Sequence, residues 1–141
     1  MRGDTKIKIS ENNTIRVNNI VPLSVNVARK GKRYKTDKYR RYETILKVIL
    51  PSCEIEKEGN LVAIYHFGFS SPLADYDNPI KPLQDVLQKR YWFDDRRIEQ
   101  GHQFTSMVKK GDEFIEFWIG KKTEKEYIEI LKEKIGIDIA S

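Results

Sequence analysis

The sequence predicts an α+β fold, a small single domain over residues 1–141 in which a mixed β-sheet packs against about three helices. Three observations carry this. A chain of 141 residues with 39% hydrophobic and 33% charged side chains is large enough to bury one core, and its composition marks no second. The periodicities run strand, helix, strand, helix, strand, strand, helix, which suits helices laid on one mixed sheet. Finally, Leu61 to Phe69 is a run rich in Val, Ile, Tyr and Phe that reads as a central strand.

Taken in order, Lys6 to Ile9 is a short candidate strand, and residues 14 to 20 alternate well enough for another. Val21-Pro22-Leu23-Ser24-Val25-Asn26 is a proline-directed turn whose Ser and Asn can satisfy loose backbone groups. Gly31 lies in a basic loop. Thr36 caps a helix of about fourteen residues whose Tyr39, Tyr42, Ile45, Leu46 and Ile49 fall near a 3.6 period, and Pro51 ends it. Glu58-Gly59-Asn60 turns the chain into the central strand. A helix over residues 79–89 follows, with Asn78 as cap and Pro79 at the first helical position. Gln103 to Val108 and Glu113 to Ile119 read as a hairpin around Lys109-Lys110-Gly111-Asp112. Thr123-Glu124-Lys125-Glu126 is a capping box for a last helix. Tyr127, Ile128, Ile130, Leu131 and Ile135 form its apolar side and Gly136 its end, for packing on the sheet or in a dimer.

Several function classes are excluded at this level. No stretch approaches the roughly 18 apolar residues of a membrane span, and Met1 to Lys6 lacks the apolar core of a signal peptide, so a cytoplasmic protein with no membrane partner is expected. Cys53 is the only cysteine, which leaves no internal disulfide and no multi-thiolate zinc site. With His66 and His102 as the only histidines, a metal would be held by oxygen.

Net charge is +5, but residues 29–47 hold nine Lys and Arg against Asp37 and Glu43, a local excess of +7. Arg29, Lys30, Lys32, Arg33, Lys35, Lys38, Arg40 and Arg41 are the candidate DNA-binding residues. Tyr34, Tyr39 and Tyr42 interleave with them, as base-stacking rings or as the edge of the core. A solvated basic face is the simpler alternative.

Most of the chemistry lies in residues 75–95, which hold five Asp and two Lys. Asp75 and Asp77 precede the helix, and Asp94 and Asp95 follow it. Clustered carboxylates repel one another, and a hard cation such as Mg²⁺ relieves that cost by taking oxygen ligands. Lys81 lies one helical turn beyond Asp77, where its ammonium can hold a phosphate. The alternative is local: Asp-x-Asp-Asn-Pro is also a turn and helix-cap signal, and Asp85 is then an exposed helix acid or a supporting partner.

This stretch resembles the RusA family of Holliday junction resolvases, whose hallmark is an Asp-x-Asp-Asn-x-x-Lys helix followed by an Asp-Asp pair. Asp75, Asp77, Asn78, Lys81, Asp85, Leu87 and Asp94-Asp95 occur in that order, and Pro22-x-Ser24-x-Asn26 matches a family turn. The resemblance covers about residues 20–119. It implies Asp75, Asp77, Asp95 and Lys81 as catalytic residues, with Asp94 a further metal ligand. It further implies a homodimer that uses Mg²⁺, or Mn²⁺ in its place, to resolve four-way DNA junctions by paired symmetric nicks in recombination and repair. One departure is plain: where many members carry a basic run before the first Asp, this chain has Phe69-Ser70-Ser71-Pro72-Leu73-Ala74. Two rivals stay open, a related metal nuclease acting on flaps, forks or other branched DNA, and a catalytically silent DNA-binding scaffold.

Overall fold

A computed structural model of the chain describes residues 7–8, 14–24, 29–30, 34–71, 79–121 and 129. The architecture is α+β. The principal sheet has four strands, β2 (Ile15–Asn18), β6 (Leu61–Phe69), β7 (Ile98–Met107) and β8 (Phe114–Lys121), in the order β2-β8-β6-β7. Two helices, α1 (Asp37–Ile49) and α2 (Ile80–Tyr91), are described, together with a 3₁₀ turn at Asp95–Arg97. Four two-residue strands complete the described set: β1 (Ile7–Lys8) runs parallel to β5 (Cys53–Glu54), and β3 (Arg29–Lys30) pairs antiparallel with β4 (Tyr34–Lys35). The capping box at Thr123–Glu126 and the residues that would follow it in a third helix lie outside the described residues, Glu129 excepted. No described helix is long and apolar enough to cross a membrane.

Strand β6 is the spine of the sheet, parallel to β7 on one side and antiparallel to β8 on the other. Both of its faces are covered: every residue from Leu61 to Phe69 except His66 is buried. A strand covered on both faces needs an unbroken apolar run rather than alternation, and that is what Leu61 to Phe69 supplies. The hairpin expected of the last two strands is not formed. β7 and β8 have no ladder between them, because β6 lies between them and pairs with both. The expected turn is nevertheless present. Asp112 N–H donates to Lys109 O at 2.9 Å with Gly111 at φ +100°, so the turn closes a connection over the end of β6 instead of a hairpin.

Helix α1 opens at Thr36, whose side chain accepts from Tyr39 N–H, and buries Tyr39, Tyr42 and Leu46. Tyr39 and Tyr42 are 1% and 5% exposed, so both are core residues and unavailable for stacking on bases. Ile45 and Ile49 flank the buried stripe and stay half-exposed. Helix α2 starts at Ile80, one residue later than expected, with Pro79 in the cap position and no side-chain cap bond. Its buried face is Pro82, Leu83, Val86, Leu87 and Tyr91. Three contacts fix its far end to the middle of α1 and to the residues just after it: Lys89 Nζ to Glu43 Oε2 at 2.7 Å, Arg90 Nη2 to Leu50 O at 3.0 Å and Tyr91 O–H to Pro51 O at 2.8 Å. Cys53 is buried beside this junction, and burial pushes its thiol up, which leaves it a poor nucleophile.

Gly68 marks the tightest approach in the sheet. A Cβ there would lie 2.3 Å from two atoms of the buried Phe114 ring. Gly68→Ala must displace that ring, and overpacking of this kind costs about 1–3 kcal/mol. Thermal denaturation should show a midpoint lowered by about 3–10 °C.

Beside Gly68 lies a polar network. His66 Nδ1 is 3.4 Å from Glu116 Oε1, His66 Nε2 is 2.6 Å from Ser106 Oγ, and Thr14 donates to Glu116 Oε2 at 3.1 Å. Burial pushes the Glu116 carboxyl up, but the His66 and Thr14 hydrogen bonds and the Arg16 charge outweigh it and hold the group below the usual range. A depressed folded-state value means stability that is present above the unfolded value of 4.5 and lost as pH falls through the folded one. Denaturant titrations from pH 6 down to pH 3 should therefore show a stability slope below about 4.5 that is shallower in Glu116→Gln.

Candidate active site on helix α2

The face of α2 opposite its buried stripe carries Lys81, Gln84, Asp85 and Gln88, at the i, i+3, i+4, i+7 spacing that aligns side chains along one side of a helix. Lys81 Nζ is 3.1 Å from Asp85 Oδ1. That contact holds the ammonium on the helix surface, while 52% of the lysine side chain remains exposed to an incoming ligand.

After Tyr91 the chain reverses and brings Asp95 back against this same face. Gln84 Nε2 donates to Asp95 Oδ2 at 3.3 Å, and the Asp95 N–H donates to Gln88 Oε1 at 3.2 Å. The other end of Gln84 is fixed as well, since Tyr65 O–H on β6 donates to Gln84 Oε1 at 2.8 Å. Burial, and then the nearby Asp95 charge, push the Tyr65 hydroxyl up, so it stays protonated and acts as the donor. A phenol that donates at one end and a carboxylate that accepts at the other leave Gln84 one amide orientation. The Asp95 carboxylate is thereby tied to the central strand through one side chain. Among the described residues its Oδ1 accepts no hydrogen bond.

The turn that carries Asp95 is anchored independently. Arg97 Nη2 donates to Glu56 O at 2.6 Å and Arg97 Nε to Gly59 O at 3.1 Å, locking the 3₁₀ turn onto the loop before β6. Asp94 does a different job from its neighbour. It caps the turn by accepting from Arg96 N–H at 2.9 Å and holds the Arg96 guanidinium at 2.8 to 3.2 Å. Those hydrogen bonds hold its carboxyl below the usual carboxylate range. Of the two acids, Asp95 faces the helix with Lys81, and Asp94 is committed to Arg96.

Asp75, Asp77 and Asn78 lie outside the described residues, as do Lys32, Arg33 and Asn26. Among the described residues no group of three or more His, Cys, Asp or Glu comes together. The donor type in this corner, a carboxylate with an oxygen not hydrogen-bonded by the described residues, fits Mg²⁺ or Mn²⁺ rather than a softer metal. Arg29, Lys30 and Lys35 lie in the short β3 and β4 pieces.

The remaining basic candidates on α1 divide between two sides of the helix. Lys38 and Arg41 border a groove of about 560 Å³ whose floor is Ile20, Pro22, Leu23, Ser24, Tyr42 and Phe69. Arg40 instead pairs with Asp37 at 3.5 Å on the exposed surface. Pro22-x-Ser24 thus lines the same groove as the basic residues Lys38 and Arg41. Gln84, Gln88 and Tyr65 are the site residues that sequence reasoning missed; helical spacing from Lys81 was a signal for the two glutamines, and Tyr65 on β6 had none.

No protein-family model matches this chain, and no curated protein matches it significantly in sequence.

Proposed function

We propose that the protein is a Mg²⁺-dependent, structure-selective endodeoxyribonuclease that resolves four-way DNA junctions, working as a homodimer. The observation that carries this is the return of Asp95, through Gln84 and Gln88, to the helix face that bears Lys81. The acid and the lysine of the Asp-x-Asp-Asn-x-x-Lys…Asp-Asp pattern are thus brought to one surface by separate stretches of chain. The groove beside Lys38 and Arg41 adds a cationic approach for a phosphate backbone.

In this mechanism Asp95, with Asp75 and Asp77, would hold the divalent ion. When bound, that ion activates water and stabilises the leaving oxygen. Lys81 positions the scissile phosphate and offsets the charge that grows on it. Gln84 and Tyr65 keep the Asp95 carboxylate from turning away. A two-fold junction is served by a two-fold enzyme, with one such site on each strand.

The test is cleavage of a labelled four-way junction, with linear duplex, flap and fork controls, by the wild-type chain and Asp77→Asn, each with Mg²⁺ and with chelator. Paired symmetric nicks on the junction, lost with chelator or with the substitution, are expected. Cleavage of flaps or forks alone would keep the chemistry and change the substrate. Tight binding with no cleavage under any metal would overturn the enzyme in favour of a scaffold.

A further inference from the structure

Trp92 is anomalous in two independent ways. It is 90% exposed, the most exposed large hydrophobic residue described, whereas the chain's other tryptophan, Trp118, is 1% exposed. It also sits in the left-handed region at φ 56°, ending α2 with its N–H on Gln88 O at 2.9 Å. That position favours Gly or Asn, and a bulky aromatic there is an outlier. Asn19, the other non-glycine residue at positive φ among the described residues, is of the type that tolerates the conformation. The left-handed backbone works against stability, and the exposed ring returns no packing to the core. Where strain persists without a packing return, function is the place to look.

The surroundings identify a ligand class. Trp92 borders a hollow of about 250 Å³ lined also by Lys57, Arg90 and Tyr91, and the last turn of α2 carries Lys89 and Arg90. The one acid among the described residues lining the hollow is Glu54. Trp92 stands three residues before Asp95, and Arg96, whose side chain is 88% exposed, follows one residue beyond. Lys89 is paired with Glu43 and Arg96 with Asp94, so Lys57 and Arg90 are the cations that line the hollow beside the exposed indole, and ring and charge together suit a polyanion that also offers flat rings. We infer that Trp92 is a stacking platform for an unstacked base of branched DNA, holding the branch point beside the Asp95 corner. This deepens the nuclease proposal and rests on its DNA substrate. It also gives a reason for the residue type: every base has a face to stack on, so the contact reads DNA shape without reading sequence.

The full chain is tested in chelator, so that binding is observed without cleavage. In Trp118→Phe, Trp92 is the only indole, and its emission should be quenched saturably by a four-way junction and less by linear duplex. In the otherwise wild-type chain, Trp92→Ala should weaken junction binding about tenfold by labelled-DNA anisotropy, with Trp92→Phe closer to wild type. Trp92→Gly should likewise bind weakly while melting about 3 °C higher, because glycine relieves the left-handed position. Full junction binding with unmoved Trp92 emission, or wild-type affinity in Trp92→Ala, overturns the inference. So does an emission shift that tracks protein concentration without DNA, since a second copy would then cover the ring. Cleavage with Mg²⁺ but no Trp92 response sinks the platform and keeps the nuclease; quenching by DNA without cleavage does the reverse. Failure to bind any DNA sinks both.

Discussion

Asp95→Asn should reduce Mg²⁺-dependent junction cleavage by at least about a hundredfold, the scale on which a preorganised charged or dipolar group acts in catalysis, while leaving fold and DNA binding intact. The substitution is nearly isosteric. An asparagine oxygen can still accept from Gln84 Nε2, and the backbone N–H still reaches Gln88 Oε1, so the two contacts that seat the residue survive. What is lost is the negative charge and the second anionic oxygen, the two properties that hold a hard cation. Asp94→Asn is the matched control. Asp94 is spent on Arg96 and on capping the turn, and an asparagine caps equally well, so cleavage should change little. Single-turnover rates with saturating enzyme, at several Mg²⁺ concentrations, measure both. Equal losses in the two variants would remove the distinction between these neighbours, and a larger loss at Asp94 would reverse it.

That distinction shows where sequence reasoning stops. Asp94 and Asp95 are adjacent and chemically identical, and nothing in their order says which one turns toward α2. The choice is made by tertiary contacts: Arg97 pins the turn to Glu56 and Gly59, and Gln84 and Gln88 receive Asp95. Local signals were legible where the physics is local. Thr36 caps α1, the stripe of Tyr39, Tyr42 and Leu46 is buried, and the apolar run Leu61 to Phe69 is the interior strand. Non-local pairing was not legible. The turn at Lys109–Asp112 is present, but a turn between two strands does not exclude a third from lying between them, and β6 does so.

The same limit explains the length of β7. It begins at Ile98 rather than Gln103, because its early residues Glu99, Gln100 and Gly101 have no apolar alternation and are recruited by pairing with β6. An edge strand can be that polar, since alternate residues of β7 are exposed at the end of the sheet. Tyr39 and Tyr42 among the basic residues show the converse ambiguity. Their spacing fits both a core stripe and a stacking ladder, and only burial separates the two.

Gln84→Leu should lower cleavage about 10- to 100-fold, as removal of the groups that orient a metal ligand does elsewhere, although Gln84 carries no charge. Its two bonds span the distance between the buried Tyr65 hydroxyl and the Asp95 carboxylate. Leucine breaks both, freeing the acid to rotate and leaving a phenol donor on a residue 1% exposed without its acceptor. An unsatisfied buried donor costs about 1–3 kcal/mol, so stability should fall along with activity. The two effects separate in the double variant Tyr65→Phe/Gln84→Leu. Removing both partners of a buried hydrogen bond can be nearly neutral for folding, so denaturant stability should recover toward wild type. Cleavage should not recover, because Asp95 still lacks its holder. The single-turnover rate should carry the loss with junction affinity nearly unchanged. If the double variant regained activity together with stability, Gln84 would be a structural residue only, and the tie from the central strand to Asp95 would have no part in the chemistry.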